Sequence, residues 1–88
     1  MASVVIPFYN KSLFIRDALE SCYNQSIRPN EIIIVNDFSE SKETKKLIDI
    51  VKKFEGNLKI YVISLDLNKG PSYCRNLGVQ KSNEEIIF

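Results

Sequence analysis

The stretch EIIIVNDFS, residues 31–39, decides the fold. Its four consecutive β-branched residues, Ile32 to Val35, read as a strand covered on both faces, because no polar residue alternates with them. The apolar run stops at a polar pair, Asn36 and Asp37, followed by Phe38 and Ser39. Such a strand delivers one carboxylate to a turn. In open α/β sheets, ligands bind just outside the carboxyl ends of the strands. Asp37 is therefore the first residue expected to touch a ligand.

Upstream, SVVIPF at 3–8 reads as the first strand, with Pro7 at its end because proline has no N–H to give to the ladder. Tyr9, Asn10, Lys11 and Ser12 make a polar turn in which Asn10 or Ser12 is the expected N-cap. Phe14, Ile15, Ala18, Leu19 and Cys22 recur at helical spacing and predict a helix to about residue 24, with Arg16, Asp17 and Glu20 on its outer face. Residues 26–30, SIRPN, form a connection that carries a proline.

Downstream, Ser39, Glu40 and Ser41 offer caps and early negative charge to a second helix. That helix is expected to turn Leu47, Ile48, Val51 and Phe54 inward and Lys45, Lys46, Lys52 and Lys53 to solvent, with Gly56 and Asn57 as its stop. LKIYVISL at 58–65 reads as a third strand, and DLNKG at 66–70 as a polar loop. Pro71 suits the first turn of a third helix running to about residue 81, with Cys74 and Leu77 inward. Residues 82–85 make a turn, and Ile86, Ile87 and Phe88 begin another apolar strand, inside which the sequence stops in the manner of a cut chain. The order βαβαβαβ predicts one α/β domain, with a mostly parallel sheet, right-handed crossovers and helices on its faces.

Composition narrows the function. A net charge of +1 over 88 residues gives no electrostatic reason to bind nucleic acid or an anionic membrane. No apolar run approaches the roughly 20 residues that cross a bilayer. The opening MASVVIPFYN has neither a basic segment nor a cleavage-like site, so no signal peptide is expected. The absence of histidine excludes histidine-dependent catalysis and the usual zinc sites within these residues. Cys22 and Cys74 match no metal spacing and read as buried free thiols on helix faces.

A parallel sheet brings the loops after its strands to one edge. Here that edge gathers Tyr9, Asn10, Asn36, Asp37, Asn68, Lys69 and Gly70, with Arg75 and Asn76 from the following helix. An aromatic ring, a carboxylate, amides and a guanidinium suit a nucleotide: the ring stacks on a base, the carboxylate accepts from a base N–H, and the arginine reaches a carbonyl or a phosphate. Competing phosphate motifs are missing. Neither GxGxxG nor GxxxxGK[ST] occurs, and the acidic turn follows the second strand rather than the first, where a receiver-like domain needs it. The residues alone leave open a small α/β nucleotide-binding or protein-interaction module without catalysis.

The whole chain resembles the start of a family 2 glycosyltransferase of the GT-A fold. The family opens with an apolar strand, P-x-Y-N, a helix, S-x-x-x-Q and E-I-I-V-V-D-D-G-S, which VVIPFYNKSLFIRDALESCYNQSIRPNEIIIVNDFS follows. Its later N-x-G-x-x-x-A-R-N-x-G is matched by residues 68–78, NKGPSYCRNLG. The resemblance implies a three-layer, Rossmann-like GT-A half and an intact enzyme that moves a sugar from a nucleotide-diphosphate donor, UDP-sugar favoured, to an acceptor hydroxyl. It gives Pro7, Tyr9 and Asn10 to a first nucleotide loop, Asp37 to the base and Arg75 to the base or diphosphate, with Asn68 and Gly70 in the third loop. Asn36 stands where the family has its first Asp, Phe38 where it has Gly, and Cys74 where it has Ala. The family's Asp-x-Asp, which holds Mn²⁺ or Mg²⁺, follows the strand that Ile86 begins. So do the catalytic base and the acceptor half. Residues 1–88 are thus expected to carry the N-terminal donor-binding part, with no catalytic residue and no metal ligand, and to show no turnover alone. A cytoplasmic enzyme is implied, with membrane-peripheral attachment open to the full-length protein. Uncovered apolar surface at an open sheet edge is expected to favour homo-oligomers.

Overall fold

The computed structural model describes residues 2–10, 12–25, 31–56, 58–81 and 85–87. They form β1 (Ala2–Phe8), α1 (Ser12–Tyr23), β2 (Glu31–Asn36), α2 (Ser41–Phe54), β3 (Ile60–Ser64), α3 (Pro71–Lys81) and β4 (Glu85–Ile87). The strands make one sheet in the order β3-β2-β1-β4, and every neighbouring pair is parallel. The expected βαβαβαβ order is thus present, with a sheet that is wholly parallel among the described residues.

β2 is buried at all six positions, because both of its faces are covered. Successive side chains of a strand point to opposite faces. Ile32 and Ile34 join Ile15 and Leu19 of α1 and Leu47 and Val51 of α2 in one cluster. Ile33 and Val35 join Val5 and Cys74 in another, under α3. The result is three layers: α1 and α2 on one face, the sheet, and α3 on the other. At the amino end of the central pair, Ser3 Oγ donates to Glu31 Oε1 at 2.6 Å, so both buried polar side chains are partnered.

Two inward stripes differ from expectation. Phe14 is 59% exposed, because α1 buries Ile15, Leu19 and Cys22, and Phe14 lies about 100° around the axis from Ile15. Ile48 is 43% exposed for the same reason: α2 packs through Leu47, Ile50 and Val51, and Phe54 is half-buried. The four lysines of α2 assigned to solvent are exposed. β3 is shorter than the apolar run 58–65, since Leu58 is spent on closing α2 through its N–H to the Phe54 carbonyl.

The caps differ too. The N-cap of α2 is Glu40, which makes no side-chain cap bond, and the Ser39 hydroxyl is occupied elsewhere. The C-cap is Glu55, in right-handed helical conformation, and Gly56 has no positive φ. Pro71 opens α3 as expected, with Gly70 accepting from the Cys74 N–H. The connection at 26–30, residues 82–84 of the expected turn and Lys11, Asn57 and Phe88 lie outside the described residues, while Glu85, expected in that turn, opens β4 in register with Ala2.

Candidate functional site

The loops after β1, β2 and β3 meet at the carboxyl edge of the sheet, and the turn after β2 ties them together. Adjacent residues of a strand point oppositely, so Asn36 faces α2 while Asp37 faces the third loop and α3. Asn36 Nδ2 donates to Thr44 Oγ1 at 3.0 Å, and its Oδ1 accepts from the Ser39 N–H at 3.1 Å. Asn36 is thereby a buried structural residue of the turn.

Asp37 makes more contacts than a base-recognition residue needs. Its N–H donates to the Phe8 carbonyl at 2.8 Å, which joins the second loop to the first. Its carboxylate accepts from the Lys69 N–H at 2.6 Å and the Gly70 N–H at 2.8 Å, and its carbonyl accepts from Asn68 Nδ2 at 3.2 Å. Hydrogen bonds to an ionised acceptor are among the strong ones. Gly70 adopts φ +89°, a left-handed conformation that glycine reaches without penalty, and this turns its N–H onto the carboxylate.

Asn10 forms the other clasp. Its N–H donates to Ser39 Oγ at 2.9 Å, and its Oδ1 accepts from the Glu40 N–H at 2.9 Å. Its φ of +50° belongs to the left-handed region that asparagine tolerates better than most residues. Asn10, expected as a cap of α1 and in the first nucleotide loop, holds the start of α2 through its side-chain oxygen.

A cleft of about 410 Å³ opens between these loops, walled by Pro7, Phe8, Tyr9, Asp37, Asn68, Gly70, Pro71 and Cys74. Five expected site residues therefore share it: Pro7, Tyr9, Asp37, Asn68 and Gly70. Tyr9 is 49% exposed, with its ring free to meet a ligand, whereas Asp37 is 4% exposed at the floor. Arg75 is not in this wall. It borders a second cleft with Phe14, Cys22 and β1 residues, and Pro7 is common to both.

Phe8, Pro71 and Cys74 were missed as wall residues. The spacing of Cys74, one helical turn beyond Pro71, was the available signal. Its thiol is pushed up from 9.0 to about 11, first by burial, then by the charge of Asp37 and a hydrogen bond to it. Burial and the neighbouring Asp37 carboxylate thus favour the neutral thiol at Cys74.

The described residues do not fit a divalent cation. No three carboxylates or thiols gather among them, and in the cleft wall Asp37 is the one carboxylate, preceded by the neutral Asn36. No helix among them is long and apolar enough to cross a membrane.

Comparison with known proteins gives a consistent picture. The family model described as Glycosyl transferase family 2 matches residues 3–88. The "Uncharacterized glycosyltransferase YwdF" of Bacillus subtilis is 39% identical over 86 residues, 98% of this chain and 30% of that protein. The "UDP-Gal:alpha-D-GlcNAc-diphosphoundecaprenol beta-1,3-galactosyltransferase" of Escherichia coli is 29% identical, over 98% of this chain and 31% of its own length. Among solved structures, S. aureus TarS 1-349 in complex with UDP superposes with a TM-score of 0.84 at 29% identity, over 99% of this chain and 26% of that one. The chain thus spans about a third or less of the relatives it matches.

Proposed function

The chain belongs to glycosyl transferase family 2, and from that premise we propose that it is the donor-binding part of an enzyme that transfers a sugar from a nucleotide-diphosphate sugar to an acceptor hydroxyl. The observation that carries this reading is the meeting of an exposed aromatic ring, Tyr9, and a buried carboxylate, Asp37, in one cleft at the carboxyl edge. A flat base stacks on the ring, and its N–H points at the carboxylate, whose oxygens keep lone pairs beyond those taken by Lys69 and Gly70. Because Pro7 borders both clefts, a ligand longer than a base runs from Asp37 toward Arg75, whose guanidinium suits the diphosphate.

A UDP-sugar is the favoured donor. TarS was crystallised with UDP, and the E. coli relative is named for UDP-Gal. Residues 1–88 correspond, in this reading, to the N-terminal part of a longer transferase domain. The catalytic base and the ligands for Mn²⁺ or Mg²⁺ belong to the remainder, so the 88-residue chain binds donor without turning it over. Two free cysteines, both buried, suit a reducing compartment, in keeping with a cytoplasmic enzyme.

Titration of UDP, GDP and CDP into isotopically labelled chain tests the proposal. Amide shifts centred on Tyr9, Asp37 and Gly70, strongest with UDP, are the expected result. Silence at millimolar nucleotide would sink the reading and leave an interaction module. Asp37→Asn should weaken binding and, unlike a pure contact residue, also shift the amides of Lys69 and Gly70 without ligand, because it replaces one accepting oxygen by a donor.

A further inference from the structure

Phe38 is in a conformation that its side chain disfavours. Its φ is +55°, left-handed, where the Cβ of an L-residue crowds the backbone and a bulky ring has no local hydrogen bond to offer in return. Burial does not offset this, for Phe38 is 56% exposed while its neighbours Asp37 and Ser39 are 4% and 9% exposed.

The conformation is imposed from both sides. Asp37 is fixed through its N–H to the Phe8 carbonyl and its carboxylate to Lys69 and Gly70. Ser39 is fixed through its N–H to Asn36 Oδ1 and its hydroxyl to the Asn10 N–H. A glycine would satisfy every one of these bonds at lower cost, since none involves the Phe38 side chain. Strain of this kind persists where surrounding structure over-determines it, and it clusters at ligand sites. Here it holds an aromatic ring in solvent, one residue from the carboxylate at the floor of the cleft.

We propose that Phe38 contacts the ligand of this cleft, its ring closing over the flat heterocycle whose N–H meets Asp37, opposite the face covered by Tyr9. The inference rests on the nucleotide-binding reading and adds a residue to it. Phe38 is not itself a wall of the empty cleft. It is exposed and directly follows Asp37 in the chain, so its contribution is made only when a base is present. Aromatic stacking on a base tolerates any base, because each has a π-face. Phe38 therefore sets affinity for the nucleotide, and the edge contacts of Asp37 set which one.

The test uses the 88-residue chain with UDP as probe, and compares the parent with Phe38→Gly, Phe38→Tyr and Phe38→Leu by calorimetry and thermal unfolding. Phe38→Gly should unfold at a higher temperature yet bind UDP about tenfold more weakly, the size of one lost stack. Phe38→Tyr should bind like the parent. Phe38→Leu, which keeps the strain and bulk but not the flat ring, should bind as weakly as the glycine variant. A nuclear Overhauser effect between the Phe38 ring and uracil H5 or H6 is expected in the parent complex. Equal affinity of parent and Phe38→Gly overturns the role of Phe38 while leaving nucleotide binding intact. A lower unfolding temperature in Phe38→Gly overturns the strain on which the inference stands. Failure of the parent to bind UDP, GDP and CDP alike removes the nucleotide reading and this inference with it.

Discussion

Asp37 illustrates how one side chain serves fold and site together. Its place after a buried strand was legible, because four β-branched residues followed by a polar pair leave little choice. Its partners were not. Lys69 and Gly70 are more than thirty positions away, and only the parallel crossover brings them within 2.8 Å. Cys74 depends on the same proximity and gives a pH test. Its folded-state value of about 11 lies above the ordinary 9.0. Between these values the native chain keeps a proton that the unfolded chain releases, so stability is full below about pH 9 and falls as pH rises toward 11. Cys22 is also pushed up by burial and contributes in the same direction. Urea unfolding across this alkaline range should decline less steeply in Cys74→Ala than in the parent.

At the scale of elements, the contact of α3 with the sheet turns on Gly78. A Cβ built there runs into the Val5 side chain of β1, so the helix lies as close to the strand as a missing side chain allows. Helix propensity alone would have Gly78→Ala stabilise by up to about 1 kcal/mol. Overpacking costs about 1–3 kcal/mol and decides the sign. Gly78→Ala is expected to destabilise the chain in chemical unfolding, and Val5→Ala in the same background to recover part of the loss. The element order and approximate ends of the helices were readable from periodicity. The packing stripe of α2 was not fully so, because Ile48 and Ile50 are equally apolar and only the direction of the sheet selects Ile50. Which of Ser39, Glu40 and Ser41 caps α2 was not legible for a related reason: Ser39 and Asn10 carry strong capping chemistry, but each found a partner in the other's loop, and Glu40 takes the N-cap position.

At the scale of the whole molecule, the sheet order puts β3 at one edge, bonded on one side only among the described strands. Tyr61 on that strand is 45% exposed, and with Ile33, Val62, Ile63 and Lys81 it borders a shallow apolar cleft. Unpaired edges with apolar side chains favour pairing with another chain. The expected outcome is self-association that grows with concentration in sedimentation velocity and is suppressed by Tyr61→Lys. A concentration-independent monomer would count against it. That the sheet is parallel was legible from the alternation of strands and helices. Which strand lies at an edge was not, since periodicity describes each strand but not its neighbours.

The hydrogen bonds of Asp37 have a consequence for how the cleft comes into being. One residue reaches the first loop through its N–H and the third through its carbonyl and carboxylate. Opening the second loop therefore breaks its bonds to the first and to the third at once. The amides of Asp37, Lys69 and Gly70 are expected to share one opening free energy in hydrogen exchange. A ligand that grips one loop firmly is thus felt by all three, and the empty and filled cleft differ in population rather than in design.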